Sequence, residues 1–177
     1  MKKLSYEDIQ SKRPDKNELF RLQRFPVVTI LENIRSLYNV GSMFRTADAA
    51  RIAYMYLCGY TPCPPRKEIE KTALGSTESV PWEHSTKPLQ VIRMLKSQGF
   101  VIAALEHTTT SVAYTTYTYS YPLCIVVGNE VHGVSDDVLA MCDTAIEIPM
   151  FGIKHSLNVA VAYGIVVYHA VMEYQMK

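Results

Sequence analysis

Short apolar runs recur along this chain with helical segments between them, and that alternation limits the possible folds more than any other feature. VVTIL (Val27–Leu31), AYMYLCG (Ala53–Gly59), FVIAAL (Phe100–Leu105), LCIVV (Leu123–Val127) and AIEIP (Ala145–Pro149) each have the length of a strand. LCIVV has no polar position, the pattern of a strand covered on both faces in the middle of a parallel sheet. Val40–Arg51, Thr86–Gln98 and Ser135–Cys142 read as helices, with Asn39 and Ser135 as expected N-caps. A long helix is expected from about Ser156 to the end. Strands alternating with helices give an α/β fold with a mostly parallel sheet and helices on both faces. Ligands of such sheets sit beyond the carboxyl ends of the strands. Three strand ends here carry unusual loops: Leu105-Glu106-His107, Gly128-Asn129-Glu130 and Pro149-Met150-Phe151-Gly152.

The rest of the chain is less regular. Residues 1–26 read as one or two loose amphipathic helices punctuated by Pro14 and Pro26. Thr61–Glu83 holds four of the nine prolines and is expected to be an irregular, functional loop. His107–Tyr121, rich in Thr and Tyr, looks extended; it reads as an edge strand, with base stacking as the alternative. The 177 residues suit one domain, with 1–26 as a short basic extension and 27–177 as the body. Eighteen basic residues against 17 acidic leave no global field. Seven Lys and Arg against four Asp and Glu make residues 1–26 the better candidate for nucleic acid. Lys2 and Lys3 precede no apolar stretch, so no secretory leader is expected. Four cysteines without CxxC spacing suit reduced thiols in a cytoplasmic protein. The five histidines form no ligand set, so no metal is expected. Leu157–Met172 is apolar but short for a membrane span and carries Asn158, Tyr163 and His169, so it reads as a buried helix.

Three constellations have chemical potential. In ENIRSLYNVGSMFRTADA, Asn39 and Arg45 stand six residues apart, with Gly41 between and Arg35 before them. An Arg on the first turns of a helix can grip an anion, whereas the plainer reading is a surface Arg and a capping Asn. In LCIVVGNEVHGVS, the strand ends in Gly128, which admits a ligand close to the backbone or simply makes a tight turn. Glu130 beyond it suits a ribose hydroxyl or an ammonium, or holds the loop. In IEIPMFGIKHSLNVAVAYGIVV, Ser156 and Asn158 diverge by about 200° at a helix start, so one can cap while the other faces a cleft. The helix behind is apolar on nearly every face and needs cover from the monomer core or from another subunit.

The order of these motifs resembles the SpoU/TrmH-type RNA 2'-O-ribose methyltransferases of the SPOUT class. The carrying residues are NxxxxxRTADA (Asn39, Arg45–Ala49), IVVGNExxGVS (Ile125–Ser135) and IPMxGxxxSLNVAVA (Ile148–Ala162). Ala160 stands where many relatives have Ser. The resemblance implies a Rossmann-like sheet with a C-terminal deep trefoil knot, which no periodicity could encode. It implies S-adenosylmethionine held in the knot, here by Leu105, Glu106, Val127, Gly128, Ile148, Met150 and Leu157. Arg45, Asn39, Glu130, Ser156 and Asn158 become the polar members of the catalytic site. A homodimer through the C-terminal helix and knot is implied, with both subunits contributing to the cleft.

The implied substrate is RNA, with tRNA favoured over ribosomal RNA because the segment before the knot is short. Lys12, Arg13, Lys16, Arg21, Arg24 and Arg35 are the candidate RNA contacts, joined by the 61–83 loop. Two rivals remain. A knotted module that grips RNA without methylating it would lack the motif Arg or Asn, and both are present. A dehydrogenase of Rossmann type would carry a glycine fingerprint after its first strand, where this chain has ENIRSLYNVG.

Overall fold

The computed structural model describes residues 1–177, the side chain of Lys16 excepted. Seven strands form one sheet: β1 (Phe25–Glu32), β2 (Ile52–Cys58), β3 (Trp82–Ser85), β4 (Val101–Leu105), β5 (Val112–Ala113), β6 (Leu123–Val127) and β7 (Thr144–Glu147). Their order is β3-β2-β1-β6-β4-β7-β5, and every pairing between them is parallel. LCIVV is β6, the central strand, and all five of its residues are buried.

The two-residue period of the strands divides the core between two faces. Val27 and Leu31 of β1, with Ile125 and Val127 of β6, pack under α3 (Leu37–Ala49), α4 (Lys67–Ala73) and α7 (Val159–Gln175). Val28, Ile30, Cys124 and Val126 point to the other face, against α5 (Pro88–Ser97) and α6 (Asp136–Leu139). After β7, near one edge, the chain returns to lay α7 over β1, β6 and α3. Two short helices, α1 (Tyr6–Gln10) and α2 (Lys16–Arg21), precede the sheet, each closed by a capping box.

Several local expectations are corrected. Asn39 does not cap the helix after β1. Ser36 does, accepting from the Asn39 amide at 3.3 Å, and this places Asn39 inside the first turn with its side chain free for other partners. Ser135 holds the N-cap position of α6, as expected, but its hydroxyl donates to Glu32 and makes no side-chain cap bond. The 61–83 stretch is more ordered than its prolines imply. It contains α4, a 3-10 turn at Ser76–Glu78 and the start of β3, an edge strand that the sequence reading missed. Only Val112–Ala113 of the Tyr/Thr run is a strand, at the sheet edge. Tyr119 is buried and, with Tyr114, packs edge-on to His169 of α7, so these rings are core material rather than base-stacking platforms.

Candidate active site

Four carboxylates at the carboxyl ends of the strands shape the site, three by binding backbone amides and one by binding side chains. Glu32, buried at the end of β1, accepts from the Ser135 amide at 3.0 Å and from its hydroxyl. Glu106, after β4, accepts from the Val134 amide at 2.9 Å and the His107 amide at 2.9 Å. Between them the Gly133–Ser135 strip is pinned from two sides. Glu147, at the end of β7, accepts from Ser111 and from His107 Nδ1 at 3.3 Å, and these bonds hold its carboxyl below the usual range. Glu130 accepts from the amides of Arg35 (2.8 Å) and Ser36 (3.0 Å) and from Asn39 Nδ2 (2.9 Å). Burial pushes the Glu130 pKa up, but these donors outweigh it and leave the carboxyl below its ordinary value.

Of the two readings of Gly128, the packing supports the tight turn. A Cβ there would stand 2.1 Å from the Gly133 carbonyl carbon and 2.2 Å from the Val134 nitrogen, so the space is filled by the returning loop. The loop closes through reciprocal Asn129–Gly133 backbone hydrogen bonds of 2.9 Å. The Asn129 side chain, mostly buried, donates to the Asn33 carbonyl and the Tyr60 hydroxyl, both at 2.9 Å, and accepts from the Val131 and His132 amides. The tight turn is therefore the glycine's local function.

These loops enclose a cleft of about 750 Å³ beyond the ends of β4, β6 and β7. Leu105, Glu106, Val127, Gly128, Ile148, Met150 and Leu157 all line it, as do Glu130, Ser156 and Asn158. Asn158 caps α7, accepting from the Ala160 amide at 2.9 Å, while its Nδ2 donates to Asn39 Oδ1 at 3.2 Å. A polar relay Glu130–Asn39–Asn158 thus joins the first, second and third motifs along one wall. Arg45 is not part of it. Six residues of helix separate Arg45 from Asn39 by about 9 Å and about 120°, and Arg45 lines a second cleft with Lys71 and Tyr168.

Among the candidate RNA contacts, Lys12, Arg13, Arg21 and Arg35 are exposed. Arg24 is not free for RNA: it donates to the carbonyls of Ile52 (3.1 Å) and Ser79 (2.6 Å). The Lys16 side chain lies outside the described residues. Sequence reasoning missed Glu32, Asn129 and Glu147. Glu32 had a legible signal, a lone charge closing an apolar strand, whereas the partners of the other two are set by packing. Among the described residues, no group of three His, Cys, Asp or Glu side chains is disposed to hold a metal ion.

Residues 26–168 match the SpoU rRNA Methylase family. The tRNA (guanosine(18)-2'-O)-methyltransferase of Aquifex aeolicus is 32% identical over 160 residues, 90% of this chain and 75% of that protein. The solved structure of the A. aeolicus TrmH/SpoU tRNA modifying enzyme superimposes with a TM-score of 0.81 at 32% identity, covering 91% of this chain and 84% of that one. An AdoMet-bound rRNA methyltransferase from Sinorhizobium meliloti gives a TM-score of 0.77 at 31% identity, covering 86% of this chain but 59% of that one. With the second and third motifs and the loop after β4 converging on one cleft, and the match spanning most of its length, the chain belongs to the SpoU family of RNA methylases.

Proposed function

We propose that this chain transfers a methyl group from S-adenosylmethionine to a ribose 2'-hydroxyl of RNA, with tRNA as the favoured substrate and a homodimer as the working form. The observation that carries the reading is the convergence of three sequence-distant loops, around 105–107, 127–133 and 147–159, on one cleft. Family membership supports it, as do the relatives named for 2'-O-methylation of a tRNA guanosine and for bound AdoMet.

The residues fit the cofactor. The cleft is of ligand size, and Leu105, Val127, Ile148 and Met150 offer apolar walls to a flat purine. Glu106, Glu130 and Glu147 give the lining an anionic character that favours a cationic guest. When bound, S-adenosylmethionine supplies a methyl group already activated on a sulfonium. The chain's main task is then to align with it the acceptor hydroxyl, whose proton leaves to solvent as the new C–O bond forms and the C–S bond breaks. Glu130, engaged by three donors and held ionised, is a positioning residue rather than a base. Through Asn39 it orients Asn158, which with Ser156 faces the ribose. Guanidinium groups keep their protons at neutral pH, so Arg45 clamps the phosphate beside the target ribose and stabilises charge developing on the 2'-oxygen.

The dimer is supported by α7, whose outward face exposes Val161 (52%), Tyr168 (44%) and Met172 (51%) beside the exposed Phe151 and Ile153. It is supported again by Arg45, which faces away from the cleft of its own protomer and so serves that of its partner. The return of α7 from β7 to β1 and β6 agrees with a C-terminal trefoil knot. The tRNA preference rests on the higher coverage of the tRNA-modifying relative and on the basic extension 1–26 before the methyltransferase body at 27–177. No described helix is long and apolar enough to cross a membrane, in keeping with action on tRNA in the cytoplasm.

The test is methyl transfer from labelled S-adenosylmethionine to bulk tRNA, ribosomal RNA and 2'-deoxy-substituted RNA. Label in tRNA that vanishes with the deoxy substrate is the expected result. Cofactor binding without label in any RNA would replace the enzyme with an RNA-binding module.

A further inference from the structure

The second cleft, about 450 Å³ between α3, α4 and α7, has a charge character opposite to the first. Its lining brings together Arg45, Lys71, Ser42, Thr46, Thr72 and Tyr168, with no carboxylate. Among the described residues neither Arg45 nor Lys71 has an ion-pair or hydrogen-bond partner. Two cations without carboxylate partners thus line one concave surface, and together they favour an anion there. The site is also rigidly built. A Cβ on Gly41 would lie 2.2 Å from the Ile69 carbonyl oxygen and 2.2 Å from Thr72 Oγ1, so α4 sits directly against the α3 backbone. The hydroxyls of Ser42 (2.9 Å) and Thr72 (3.0 Å) both donate to the Tyr38 carbonyl, locking the two helices in register. Thr46 keeps a hydroxyl donor for a guest.

We infer that Lys71 is a second phosphate-binding residue, which holds an RNA phosphodiester together with Arg45 in the α3–α4 cleft. This rests on the methyltransferase reading for its substrate and adds a residue that none of the three motifs contains. The carboxylate-lined cleft takes the cationic donor and the Arg45–Lys71 cleft takes the anionic backbone of the acceptor, so charge alone sorts the two reactants. Lys71 acts as a point charge that fixes the strand, while the planar fork of Arg45 meets the phosphate next to the reacting ribose. Lys71 belongs to the 61–83 stretch; its helix α4 buries Ile69 and Ala73 in the core and carries Lys71 to this wall.

The experiment compares wild type, Lys71→Ala and Lys71→Arg for binding of bulk tRNA across a salt series, for S-adenosylmethionine affinity by calorimetry, and for steady-state methylation. Lys71→Ala is expected to weaken tRNA binding about three- to tenfold and to flatten the log Kd against log salt slope by about one unit. KM for tRNA rises more than kcat falls, cofactor affinity holds, and Lys71→Arg restores most of the binding. Unchanged tRNA affinity and salt slope in Lys71→Ala would overturn the assignment, as would a failure of a folded Lys71→Arg, with cofactor affinity intact, to restore tRNA binding. If the wild type methylates nothing yet its salt slope depends on Lys71, the phosphate site stands and the transfer reading falls.

Discussion

Glu130 ties the first motif to the second and, through Asn39, to the third. Its two oxygens engage the amides that open α3 and the amide side chain of Asn39, which in turn receives Asn158. Its folded pKa lies below the ordinary 4.5, because these donors prefer the carboxylate. The stabilisation is therefore complete above about pH 4.5 and disappears as pH falls through the lower folded value. Glu130→Gln is expected to melt below wild type at pH 7, and the gap should narrow as the melts are repeated from pH 4.5 to 3; a constant gap would mean that the charge is irrelevant. Arg45, outside the donor cleft, has a different signature. Arg45→Ala should abolish methylation while calorimetry finds S-adenosylmethionine affinity nearly unchanged. A large loss of cofactor binding in that variant would assign Arg45 to the donor instead.

At the scale of elements, two contacts carry the design. The first is the α3–α4 contact at Gly41, where helix backbone meets helix backbone. Gly41→Ala forces α4 outward and should cost about 1–3 kcal/mol, read as a lower urea midpoint with an unchanged slope. The second is the exposed face of α7. A Val161→Asp substitution leaves the buried face, Tyr163, Val166, Val167 and Ala170, intact and places a charge on the outer one. Gel filtration should then report a monomer that retains its fold by circular dichroism and has lost methylation, whereas a dimer that persists would remove α7 from the subunit interface. The elements also show where local signals mislead. Asn39 and Ser135 have cap-favouring chemistry, yet one is displaced by Ser36 three residues earlier and the other donates to Glu32. The aromatic run around 114–121 has strand-like composition, but its rings are drawn into the contact with His169 and Tyr174 of α7.

At the scale of the whole molecule, the donor cleft exists only when β4, β6, β7 and the start of α7 are all in place, since each contributes part of its wall. Cofactor binding is therefore linked to global stability. Saturation at 100 times Kd should add about 2.7 kcal/mol, a rise of roughly 5–11 °C in Tm for a domain of this size. No shift with S-adenosylmethionine, alongside a shift with another nucleotide, would reassign the cleft.

The sequence by itself determined the parallel α/β sheet, the central place of Leu123–Val127 and the seven residues that line the donor cleft. The sheet and its central strand are encoded by local periodicity, whereas the seven cleft residues follow from the resemblance of the motifs to a known family, with only the unusual loops at the strand ends pointing there independently. Only the tertiary structure decided that Asn39 bonds the wall of the first cleft while Arg45 lines the second, that the space beside Gly128 is filled by the returning loop, and that Lys71 shares the cleft of Arg45. Glu32 finds its amide partner 103 residues away and Glu130 one of its partners 95 residues away. Such pairings depend on how the strand ends are brought side by side, and no short-range pattern in the chain can specify them.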